Sequence, residues 1–103
     1  MGNPNLYREL AQTVNRSLGR QAITTTLIEQ TVAEAKKVRR LRGTWGLVKF
    51  LEGRMDRLFS SHEMEKLKLH PRRRELSYRM LDHLVAEGVM SPTESLMLKR
   101  MVP

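Results

Sequence analysis

Lys and Arg are the residues of this chain with the density and spacing to do chemistry, and the chemistry they can do is anion binding. There are 19 of them against 11 Asp and Glu, a formal net charge of +8. Their placement matters more than their number. Residues 36–74 hold thirteen Lys and Arg and four acidic residues, whereas 1–35 carries three of each sign and 75–103 three basic against four acidic. A basic belt between balanced ends is the pattern of a surface that meets a polyanion.

Two runs make up the belt. In the first, Lys36, Lys37, Arg39, Arg40 and Arg42 surround Val38 and Leu41. On a helix the two apolar residues share a narrow strip and the cations fill the wide remaining arc. Cations at the C-terminal end of a helix complement its dipole, which accounts for part of this run but not for all five. The second run is Lys66, Lys68, His70, Arg72, Arg73 and Arg74. Pro71 is expected to open a helix, which puts Arg72, Arg73 and Arg74 in its first turn, against the dipole. That makes the triplet the more diagnostic cluster. The competing structural reading is a solvated helix face with internal pairs to Glu63 and Glu75.

The pattern predicts phosphate-backbone contacts from Lys36, Lys37, Arg39, Arg40, Arg42, Lys68, Arg72, Arg73 and Arg74. The partner would be DNA or RNA, with steep salt dependence and no implied sequence specificity. No helix-turn-helix spacing, RNP-type aromatic motif or Gly-rich KH loop is present. The expected role is that of an accessory or regulatory factor. The alternative is a helical protein-interaction module, an adaptor, inhibitor or small subunit that docks on an acidic partner surface. Scarce aromatic residues favour the alternative, because base stacking needs rings. Arg at helix ends favours the first. The stretch RRLRGTWGLVKFLEGRMDRLF also mixes bulky and cationic residues as calmodulin targets and membrane-surface helices do. Its two glycines and its Glu52 and Asp56 weaken that reading.

Enzyme chemistry is not expected. Without Cys there is no thiolate, disulfide or Cys-ligated zinc. His62, His70 and His83 form no i,i+4 pair, and His83 beside Asp82 reads as a helix-surface pair. No phosphate loop or nucleophile elbow occurs. No metal or cofactor is expected. No window is apolar enough for a membrane span, the segment MGNPNLYREL lacks a signal core, and a cytoplasmic location is the default expectation.

The elements that must position these residues read as helices. The expectation is an all-α fold: a single compact bundle of five or six helices with no β-sheet, in one domain over 1–103. Asn3-Pro4 starts the first helix, Leu6, Leu10, Val14 and Leu18 line it, and Gly19 stops it. Residues 20–25 form a connector. Thr26 and Glu29 match a capping box for a second helix that ends at Gly43. Thr44 caps a third, whose Leu47, Val48, Leu51, Met55, Leu58 and Phe59 lie on one arc. Ser60 and Glu63 cap a short helix over 62–69, and His70-Pro71 is a boundary. A helix from Pro71 ends at Gly88. Ser91-Pro92-Thr93-Glu94 then opens a last helix through Met101.

The third helix also carries an unusual side. Gly46 and Gly53 fall together on the wheel and Phe50 lies off the main arc. Burial on two sides explains this. So does a homodimer seam or partner groove built from Trp45, Gly46, Phe50, Gly53 and Arg57. A third reading makes Phe50 a stacking platform flanked by Arg54 and Arg57. Finally, seven Met imply an adaptable interior or surface.

Overall fold

The fold is described by a computed structural model covering residues 4–102. It contains five α-helices and no strand among the described residues. Helix α1 spans Pro4–Leu18, α2 Thr25–Leu58, α3 Ser61–Lys68, α4 Arg73–Ala86 and α5 Pro92–Met101. The all-α bundle expected from periodicity is the one observed. The expected cap Asn3 lies outside the described residues.

Helix α1 ends where Gly19 turns to a φ of 69°. Its last turn also organises the connector. The Asn15 side chain accepts hydrogen bonds from the Ala22 and Ile23 amides, at 2.8 and 3.0 Å, and donates to the Ile23 carbonyl at 2.8 Å. One amide side chain thus satisfies backbone groups that have no ladder to join. Ile23 is thereby held in the core, and this fixes where α2 can begin. The cap is Thr24, whose hydroxyl accepts from the Leu27 amide at 3.1 Å. The expected box at Thr26 and Glu29 is therefore corrected: α2 starts two residues earlier.

Helix α2 is two rods joined at Gly43. As one straight rod its 34 residues would reach about 51 Å. The longest dimension of the molecule is 35 Å. Gly43, at φ 74° and ψ −165°, breaks the helix in a region open to glycine and strained for other residues. Residues 25–42 and 44–58 then fold against each other. Arg54 of the second segment reaches back to Glu34 at 2.7 Å and to Thr31 at 3.3 Å on the first. The expected break at Gly43 holds, but Thr44 is no simple cap: its hydroxyl donates to Glu94 at 2.5 Å.

Ser60 and Ser91 each form the expected capping box, with Glu63 and Glu94. The start of α4 differs from expectation. Pro71 sits in a turn, and Arg72 occupies the cap position ahead of Arg73. His70 builds that turn. Its Nδ1 accepts from the Arg72 amide at 3.0 Å and its carbonyl accepts from the Arg73 amide at 3.2 Å. His83 is a second correction. It turns inward, and its Nε2 lies 2.6 Å from the hydroxyl of Tyr7, a residue only 1% exposed. Asp82 pairs instead with Lys99 at 2.6 Å. The core collects Tyr7, Ala11, Ile28, Ala35, Leu47 and Leu84 from four helix segments, with Phe59 and Val89 closing its ends.

Candidate polyanion interface

The first basic run lies on the last two turns of the first α2 segment, just before the bend. Lys36, Lys37, Arg40 and Arg42 are exposed, and none makes an ion pair among the described residues. Arg39 is different. Its Nε meets Glu94 Oε2 at 2.9 Å and its Nη2 meets Oε1 at 3.0 Å. Glu94 is 8% exposed and also receives the Thr44 hydroxyl and the Ser91 amide. Arg39 holds the Glu94 carboxyl down at about 2; burial opposes this, and the Thr44 hydroxyl and Ser91 amide assist. The pair bolts the basic run to the first turn of α5.

A notch of about 390 Å³ opens beside this bolt. Lys36, Arg39 and Arg40 form one wall and the turn from Gly88 to Ser91 forms the other. Gly88 is at φ 77°, and a Cβ there would lie 3.9 Å from the Lys36 ammonium. Cations on two successive helix turns thus face a backbone turn with room for an anion between them.

Two apolar side chains stand out at the same bend. Leu41 is 75% exposed and Trp45 is 74% exposed. The shared apolar strip expected for Val38 and Leu41 is corrected: Val38 is half-buried, but Leu41 faces solvent because the chain reverses two residues later. Gly46 is explained by the bend itself. A Cβ added there would sit 2.2 Å from Arg42 Cβ, so the last residue before the break packs directly on the first turn after it. Gly53 has open space around it. Phe50 is half-buried against the core, and the Arg54 guanidinium lies 5.2 Å from its ring centre. Arg57 is exposed.

The second run is arranged differently. Arg72 donates to Glu9 on α1, and to Glu75 Oε2 at 2.8 Å. Arg79 meets the same Glu9 at 3.0 Å. Arg72 and Arg79 hold the Glu9 carboxyl below the usual carboxylate range. Arg72 holds Glu75 low in the same way. The charge of Arg72 is thus answered inside the fold, by a residue 63 positions away. Arg73 is half-buried, Arg74 is exposed, and Lys68 makes only a long contact to Glu65 at 3.5 Å.

The two runs do not meet at one spot. Lys36 lies against Gly88, just beyond the C-terminal end of α4, whereas Arg72 caps its N-terminal end. The 14 residues between put the clusters about 21 Å apart along that axis. Sequence reading missed Glu9 and the second role of Glu94. Their spacing from Arg72 and Arg39 carries no periodic signal, because the contacts cross between helices.

Comparison with protein-family models, with curated proteins and with solved structures found no match for this chain. Among the described residues no group of His, Asp and Glu has the arrangement of a metal site, and no helix is long and apolar enough to cross a membrane.

Proposed function

We propose that the protein binds nucleic acid through the bend of α2, as a small accessory or regulatory factor that contacts the phosphate backbone. The observation that carries this reading is the company kept by Trp45. An exposed indole stands three residues past Arg42, at the bend that ends the helix turns carrying the exposed cations Lys36, Lys37, Arg40 and Arg42, none of which makes an ion pair among the described residues. Phosphate contacts supply affinity without sequence information, and an aromatic face adds base stacking to them. The notch between Lys36, Arg40 and the 88–91 turn offers a seat for one phosphate. Arg72 takes a structural role in this reading, and Arg39 serves mainly as the bolt to Glu94.

Exposed Leu41 favours a second reading, a helical module whose bend docks on an acidic protein surface. Interfaces enrich Trp and Arg around a desolvated apolar centre. The experiment that separates the two is retention on mixed DNA and RNA at several salt concentrations. Binding should weaken steeply with salt. Replacing Lys36, Lys37, Arg40 and Arg42 together by Ala should lower the log–log slope by roughly 3 to 4. Absence of retention at low salt rejects the nucleic-acid reading.

A further inference from the structure

We propose a second site, independent of the α2 bend: a cleft that binds a monoanionic amphipath, a long-chain carboxylic acid, with its carboxylate on Arg73 and its hydrocarbon chain in the bundle. The cleft, of about 570 Å³, lies between α1, the second segment of α2, α3 and the ends of α4 and α5. It adjoins a second cleft of about 310 Å³, and Leu10, Val14, Leu51, Met55 and Leu67 line both. The inner walls include Ile28, Ala35 and Leu84, which are core residues. Volumes of this order and mainly apolar walls with a few polar groups at the mouth are usual for small-ligand sites.

The ionisable groups choose the ligand. The mouth carries Lys68, His70 and Arg73 from α3, the turn and α4, and Glu52 and Asp56 from α2. Arg73 is half-buried, and its Nε is fully buried with no hydrogen-bond partner. Arg72, next to it in sequence, is paired twice over with Glu9 and Glu75, while Arg73 makes no ion pair among the described residues. A guanidinium nitrogen that loses water without gaining a partner is costly, and a ligand carboxylate at this guanidinium would answer it. It also lies in the first turn of the 14-residue α4, where the helix dipole favours an anion. Glu52 and Asp56 on the same rim act against a doubly charged head and tolerate a single charge better.

The walls choose the tail. A peptide helix about 10 Å across cannot reach side chains as buried as Ala35. A flexible hydrocarbon chain can follow Leu10, Val14 and Leu51 inward. Met55, Met64, Met80 and Met101, four of the seven methionines, line the two clefts. Unbranched thioethers repack readily around such a chain.

The test is calorimetric titration of the whole protein with hexadecanoic acid below its micelle concentration, with hexadecanol as the uncharged comparison. Methyl NMR shifts locate the binding. The expected result is saturable one-to-one binding with shifts at Leu10, Val14, Leu51 and Leu67. Arg73→Gln should weaken it by about 10-fold or more, and hexadecanol should bind as poorly. Met55→Trp, at a half-open position that tolerates bulk, should block the shared wall while circular dichroism stays helical. The proposal is overturned by absence of saturable binding, by equal affinity of Arg73→Gln or hexadecanol, or by methyl shifts confined to Leu41 at the α2 bend.

Discussion

Arg39 and Glu94 form a two-point ion pair across 55 residues of sequence, joining the basic run of α2 to the first turn of α5. The same carboxylate caps its own helix and accepts the Thr44 hydroxyl just past the bend. Three segments are thereby fixed by one side chain: the basic run, the bend and the 88–91 turn. The exposed cations around Arg39 lie on helix turns that this pair anchors to α5.

Glu94→Ala should therefore cost more than a surface charge deletion. Loss of the cap and of a charge-assisted bond predicts about 2 kcal/mol of stability. Denaturant unfolding checks this. The change should also loosen the basic surface and weaken any nucleic-acid binding with it.

Acid should act through the same group. The Glu94 carboxyl lies at about 2 against an ordinary 4.5, and Glu63, held by Arg20 and the Ser60 amide, is also at about 2. At pH 3 the unfolded chain binds more protons than the folded one at both sites, so stability rises with pH there. Their contribution is complete above about pH 4.5 and is lost as pH falls toward 2. Glu94→Gln should flatten that part of the stability profile, measured by urea unfolding at a series of pH values.

Gly46 and Gly53, the two glycines of α2 past the bend, should respond in opposite directions. Gly46→Ala forces a Cβ onto Arg42 Cβ and should destabilise, because the neighbour it meets is attached directly to the backbone. Gly53→Ala enters open space in a helix interior and should stabilise by up to about 1 kcal/mol. Thermal melts of the two variants check the contrast. A stabilised Gly46→Ala would contradict the packed bend.

Trp45 should report on the interface. Its emission should match an indole in water, and bound DNA or RNA should quench it. Trp45→Ala should leave stability within about 0.5 kcal/mol of the parent. It should weaken binding by about 1–3 kcal/mol if the ring stacks on a base.

Arg72→Ala offers the counterpart. Its partners Glu9 and Glu75 would be left without their cation, so the melting temperature should fall. The salt dependence of nucleic-acid binding should stay unchanged. A reduced salt slope in this variant would return the second basic run to the interface.

The helices and their ends were legible because they are set by neighbours in sequence. Apolar spacing, Gly19, Gly43 and Gly88 at positive φ, and the boxes at Ser60 and Ser91 act within one or two turns. Local energetics decide them. The start of α2 was misread because Ile23, held by Asn15, draws Thr24 rather than Thr26 into the cap. The fold class and the sign of the charge were likewise set by the sequence alone. What the tertiary structure decided is which cations remain available. Arg72 meets Glu9 and Arg39 meets Glu94 because helices distant in sequence pack side by side. His83 turns inward to Tyr7 for the same reason. Coulomb pairing depends on separation in space, and hydrophobic burial fixes those separations. The charge belt was therefore written in the sequence, while packing decided which of its cations are answered inside the fold, Arg39 by Glu94 and Arg72 by Glu9.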